Sequence, residues 1–207
     1  MTTQDTPKFT GTEMYRDPLG RFSVWHPSDW AEFEIKEGVP KARGKKTKAR
    51  LTAAKKATEE QPLPVREGTG YAPNPDDPHT SFSVWVSPLP EKAEAEDLEE
   101  LRQAVDEGLT ALQDCAVEHT KDDALGNLLK FERVYEFTED GQRRKRRQWV
   151  MYVDMWLMCV TWQGSSPETY KYWLAMANYC FNTFQIPEAL WFAVDRDLTG
   201  SRTGSKS

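Results

Sequence analysis

The residues whose type and spacing come nearest to a chemistry are two basic runs, which together hold thirteen of the chain's 27 Lys and Arg. Lys41–Lys56 carries eight basic residues and no acid, and Arg143–Arg147 is an unbroken run of five. Lys45, Lys46, Lys48 and Arg50 from the first, with Arg143, Arg144, Lys145, Arg146 and Arg147 from the second, are the candidate partner- or anion-binding residues. Such runs can cradle phosphate or an acidic protein surface. With Tyr71, Trp149 and Tyr152 near them, they would also suit single-stranded nucleic acid, whose bases stack on aromatic rings. The plainer reading is a solvated strand end and a solvated loop. Against a dedicated duplex-DNA binder stands the net charge of −6, which makes the rest of the chain strongly acidic.

Groupings that would support catalysis or metal binding are missing from the sequence. His26, His79 and His119 lie far apart and belong to no HExxH or CxxC pattern, so ordinary polar or edge-strand positions explain them better than a zinc site. Cys159 and Cys180 have apolar neighbours that would raise their thiol pKa, which suits packing and not nucleophilic attack. Together with Cys115 they make an odd count without CxxC spacing, as expected of reduced thiols in a cytosolic protein. No GxSxG, P-loop or GxGxxG occurs, and acid pairs such as Glu99-Glu100 are neighbours that do not face one another on a helix. The expectation is a protein without cofactor or metal, and not an enzyme. A constellation assembled only in three dimensions is the reading that would reverse this.

The elements that must position these residues follow from periodicity. Gln148–Phe184 reads as apolar strands followed by an aromatic-rich helix, a core unit. Asp140-Gly141 is a two-residue hairpin signal because both positions tolerate positive φ, and it pairs a strand over Leu128–Phe137 with one through Gln148–Val153. Met155–Trp162 is apolar on both faces and is therefore expected to be central and covered on both sides. Ser166-Pro167-Glu168 starts the last helix with a cap, a proline and an acid. Ala95–Asp114 is the clearest amphipathic helix, with Leu98, Leu101, Val105, Leu109 and Leu112 on one stripe. Short strands are expected at Met14–Arg16, Arg21–His26, Ala31–Glu37, Thr80–Val86 and Ala116–His119.

At 207 residues the chain suits one domain. We expect a flexible segment over 1–13, a domain over 14–192 interrupted by a basic and Pro/Gly-rich insertion at 38–78, and a disordered tail over 193–207. The first residues lack the apolar stretch of a signal peptide, and the longest apolar run, Met155–Trp162, is too short to span a bilayer. The expected location is the cytoplasm, without membrane insertion.

The entry GRFSVWHPSDW (Gly20–Trp30), the hairpin, the SSPETY helix start and the closing Phe184 resemble the PsbP-like superfamily. This is the fold of PsbP, DcrB-like proteins, a yeast Ran-binding nuclear import factor and adaptors that load type VI secretion effectors. The resemblance covers roughly residues 14–37 and 80–187. It implies an α+β fold, an antiparallel sheet sandwiched between helices, used for protein binding and not for catalysis. The expected function is thus a protein-binding module or adaptor, with a protein partner or a second copy of itself. Nucleic-acid or anion binding through the basic runs is the alternative.

Overall fold

A computed structural model describes residues 7–37 and 66–192. Two short strands, β1 (Thr12–Arg16) and β2 (Ser23–Pro27), pair antiparallel around the turn at Asp17–Gly20. Gly20 takes φ +68°, a backbone value that favours glycine. The Asp17 carboxylate fixes this turn by accepting from the backbone N–H of Leu19 and Arg21 and, bidentately, from the Arg21 guanidinium at 2.8 and 2.7 Å. Burial would raise its pKa, but these hydrogen bonds outweigh it and hold the carboxyl below its ordinary value.

The main sheet has seven antiparallel strands in the order β3-β4-β5-β9-β8-β7-β6. They are β3 (Ala31–Glu37), β4 (Arg66–Ala72), β5 (Ser81–Pro88), β6 (Gln113–Leu125), β7 (Leu128–Glu139), β8 (Gln142–Val153) and β9 (Trp156–Gly164). Two-residue turns join the last four. Asp140 and Gly141 have φ +53° and +74°, as the hairpin signal requires, and Asp154 at +51° makes the β8–β9 turn. Gly126-Asn127 makes a third turn, between β6 and β7. A 3-10 turn at Ala95–Asp97 leads into α1 (Leu98–Thr110), and α2 (Pro167–Tyr172), α3 (Leu174–Thr183) and α4 (Glu188–Trp191) close the chain.

Strand alternation separates the sheet into two faces. One buries Phe82, Val84, Met158, Val160 and Trp162 under α2 and α3, the latter contributing Phe181, with β1 and β2 beside them. Ser166 caps α2 by accepting from Thr169 N–H, and Pro167 occupies its first position. On the opposite face α1 lies over β6 and β7, where Leu109 packs with Tyr135 and Phe137. The protein is therefore an antiparallel sheet between helical layers.

Several expectations need correction. The segment 38–78 is not a single insertion between strands, because β4 lies within it and is interior to the sheet. Gly68 and Gly70 read as loop residues in sequence, yet here they permit close approach. A Cβ on Gly68 would stand 2.2 Å from Val84 O, and one on Gly70 would stand 2.2 Å from the Phe33 ring laid over it. The remaining residues, 38–65, lie outside the described set, as do 1–6 and 193–207. The expected flexible segment 1–13 overlaps ordered chain, since Phe9 meets the Tyr179 ring edge-on at 5.2 Å and β1 begins at Thr12. The long helix stops at Thr110, and the short strand expected at Ala116–His119 extends over thirteen residues. The last helix breaks at Trp173 into α2 and α3. Finally, β9 is central, but its second face is only partly covered. Cys159 and Gln163 are buried there while Leu157 and Thr161 are half-buried, because α1 sits over the sheet's β6–β7 end.

Candidate functional site

Arg143–Arg147 lies within β8, between β7 and β9, so its side chains alternate between the two faces instead of forming one patch. Arg143, Lys145 and Arg147 turn toward the face under α2 and α3. Arg147 donates to Glu132 at 2.8 Å and to Asn178 at 2.8 Å, with its guanidinium over the Phe181 ring. Lys145 contacts both oxygens of Glu118 at 2.6 Å, and Arg143 donates to Glu136 and to the carbonyl of Asp114. Arg144 and Arg146 turn toward the α1 face. Arg144 is 4% exposed, and its Nε lies 3.0 Å from Glu139 Oε2 but off the line a hydrogen bond needs. Four of the five cations thus stand beside a carboxylate. Lys45, Lys46, Lys48 and Arg50 lie outside the described residues.

Arg146 differs. Its Nε and Nη2 donate to Gln163 Oε1, its Nη1 donates to the Tyr135 hydroxyl at 3.2 Å, and it stacks over the Tyr135 and Phe137 rings. All these partners are neutral. The chain of bonds continues in both directions: Tyr135 donates to Gln148 Oε1 at 3.1 Å, Gln148 Nε2 meets Cys159 Sγ at 2.9 Å, and Gln163 Nε2 donates to His79 O at 3.1 Å. Burial raises the Tyr135 pKa against the opposing pull of Arg146, so the hydroxyl stays a neutral donor.

Four members of this network, Tyr135, Arg146, Gln148 and Cys159, floor a groove of about 420 Å³ between α1 and the sheet. The helix supplies Ala104, Val105, Gly108, Leu109 and Leu112, and the sheet supplies Trp85, Val150 and Tyr152 beside the polar floor. The apolar stripe of α1 positions the roof. Ion pairs tether that roof at its edge: Arg102 of α1 to Asp122 of β6, and Asp106 of α1 to Arg133 of β7, which also holds Asp122. Two other depressions are built differently. One of about 700 Å³ runs from Arg16 and Phe22 to Phe184 and Glu188, beside the β1–β2 turn. The other, about 420 Å³, gathers Tyr15, Glu32, Glu34 and Glu67, and its one arginine, Arg21, is locked to Asp17.

The isolated histidines and cysteines stay apart. His26 stacks on Tyr71 with ring centroids at 3.8 Å and Nδ1 3.0 Å from Pro27 O, while His119 is exposed on β6. Cys159 and Cys180 are buried, and burial pushes the Cys180 thiol up to about 12. Among the described residues no group of three or more His, Cys, Asp and Glu is placed to hold a metal ion. No described helix is long and apolar enough to cross a membrane. The residues that sequence reasoning missed are Tyr135, Gln148 and Gln163. A period-two reading of β8 would have put Arg144, Arg146 and Gln148 on one face, but only the sheet order brings Tyr135 and Gln163 to either side.

No protein-family model matches the chain, and no curated protein matches its sequence. Solved structures do. The cyanobacterial PsbP (CyanoP) of Synechocystis sp. PCC 6803 aligns with a TM-score of 0.51 at 10% identity, covering 88% of this chain and 98% of that one. The type VI secretion immunity protein TplEi of Pseudomonas aeruginosa, solved with a peptide, aligns with a TM-score of 0.48 at 13% identity, covering 86% and 99%. A Pseudomonas aeruginosa protein of unknown function, described as a putative regulator, gives 0.45 at 12% identity, covering 85% and 96%. The chain, an antiparallel sheet between helical layers, thus has a PsbP-like α+β fold.

Proposed function

We propose that the chain is a non-enzymatic protein-binding module, an adaptor acting in the cytoplasm, whose partner joins the sheet along β6. The observation that carries this reading is that β6, thirteen residues long, pairs with β7 alone among the described residues. Its register irregularities fall between Gln113 and His119, so His119–Leu125 runs regular to the end. A strand edge of this kind presents unpaired N–H and C=O groups to which an extended segment can add. Val117 and Leu125, 47% and 58% exposed, flank it with apolar surface. A second copy of the chain could use the same edge about a two-fold axis. Protein binding is also what the PsbP-like resemblance implies.

Proline tests the edge directly. Along an antiparallel strand, successive residues point their backbone N–H alternately toward and away from the neighbour. Of Thr120→Pro and Lys121→Pro, one removes an N–H that bonds β7 and the other removes one that faces outward. The outward-facing variant is expected to fold as the wild type while losing a stoichiometric partner in pull-down, or its dimer in light scattering. Retention of the partner by that variant sinks the proposal. So does a wild-type protein that stays a lone monomer with no stoichiometric partner.

A further inference from the structure

We infer that the groove under α1 is a binding site for a small amphipathic carboxylate, with Arg146 as its anion contact. The first support is charge. Arg146 is the one member of the basic run whose partners, among the described residues, are all neutral: the Gln163 amide, the Tyr135 hydroxyl and two aromatic rings. A half-buried guanidinium held without a carboxylate keeps its full charge for an incoming anion. Its planar fork has five N–H groups, three of which are used in these bonds, leaving one on each terminal nitrogen. Arg143, Lys145 and Arg147 on the other face are each matched to an acid.

The second support is shape. Trp85, Val105, Leu109, Val150 and Tyr152 give the groove apolar walls, and the polar atoms gather at its floor around Arg146. Its volume, about 420 Å³, lies within the ~300–1,000 Å³ of small-molecule sites, which combine apolar lining with a few convergent polar groups. A protein surface of standard affinity would instead need ~800 Å² per partner, and α1 roofs this slot against so broad an approach. Ala104 and Gly108, the helix's smallest residues, both line the groove and leave room along it for an apolar tail. A Cβ added at Gly108 would meet nothing within 4 Å.

The test is calorimetric titration of the full chain with decanoate below its micelle-forming concentration, beside decanol and decyltrimethylammonium. Decanoate is expected to bind at least tenfold tighter than decanol, and the cationic analogue is expected not to bind. Arg146→Gln, which retains a donor for Tyr135, is expected to bring decanoate down to the level of decanol. Gly108→Phe leaves Arg146 in place and fills the slot from an open position, so it is expected to abolish binding of both while the circular dichroism stays unchanged. Equal binding of decanoate and decanol, or no loss in Arg146→Gln, overturns the inference. So does no binding by the wild type, or displacement of decanoate by an acidic amphipathic peptide at far lower concentration, which would assign the groove to a protein. The β6 edge is separate from this groove, so failure here leaves the strand-addition reading intact.

Discussion

On one face of the sheet α2 and α3 rest on rings. Phe181 lies against Phe82, Trp149 and the Arg147 guanidinium, and Trp162 lies between Trp30 and Tyr170. On the other face α1 buries Leu109, leaves Leu101 and Val105 half-exposed, and is moored by Arg102, Asp106, Asp122 and Arg133. The first attachment is dry and dense, and its strength scales with the apolar area removed from water. The second is polar, close to solvent and adjustable. A helix that joins a small apolar cluster to ion pairs at the solvent edge can shift with less loss of packing than the aromatic layer. The denser packing and the proposed carboxylate groove thus lie on opposite sides of the sheet.

Perturbing each side should show the difference. Phe181→Ala removes a side chain 1% exposed from the denser face and is expected to cost about 4 kcal/mol in denaturant unfolding, with little dependence on salt. Arg133→Met keeps much of the volume of a residue 2% exposed but removes the cation that Asp106 and Asp122 share, leaving Asp122 with Arg102 alone. It is expected to cost about 2–3 kcal/mol, less than the ~3–5 kcal/mol of a fully buried broken pair, because Asp106 is 48% exposed and Asp122 keeps Arg102. Unlike the first loss, this one should shrink in 1 M salt, and equal salt responses in the two variants would erase the distinction.

A smaller effect belongs to the end of the sheet, where β5 begins and β9 ends. Asp77 accepts from Thr80 at 2.6 Å and from Ser165 at 2.7 Å, and although burial would raise its pKa these bonds hold it below the ordinary carboxylate value. Its contribution is therefore complete above that ordinary value and is lost as pH falls through the native one. Ser165→Ala is expected to cost about 1 kcal/mol near neutrality and to begin acid unfolding at higher pH, the two curves converging once Asp77 is protonated. Smallest of all, Gly108→Ala is expected to raise stability by about 0.5–1 kcal/mol. It replaces a helix-interior glycine at a position with open space, which confines the change to the loosely packed face.

What was legible in the sequence follows the same division. Asp140-Gly141 could be read as a hairpin because positive φ is a local requirement that few residues meet, and the fold resemblance rested on similarly local signals such as the Ser166-Pro167 helix start. β4 could not be read, because the glycines that let Phe33 and Val84 approach it look like loop residues until their neighbours are known. The basic run was visible as composition, but its meaning depends on partners from β6, β7, β9 and α3 that no window along the chain contains. The same holds for the site: Arg146 was singled out with four others, and only Tyr135, Gln163 and the roof of α1 set it apart.

Strands β6 to β9 form a meander whose paired residues lie at most 25 positions apart, as at Gln113–Thr138, whereas β5 meets β9 across 68 to 82 positions, from Pro88–Trp156 to Ser81–Gln163. Short-range pairs close with less loss of chain entropy and so form sooner. Pulsed hydrogen exchange during refolding is accordingly expected to protect Phe131 and Val150 before those amides of β5 that bond β9, since β5 can pair early only with β4, across 11 to 19 positions. In that interval β9 stands as a naked edge bearing Met158, Val160 and Trp162, an invitation to pair with another chain. Synthesis in the cell removes the hazard by order of emergence: β5 has left the ribosome before β9 is made, so the strand that silences this edge is already waiting for it.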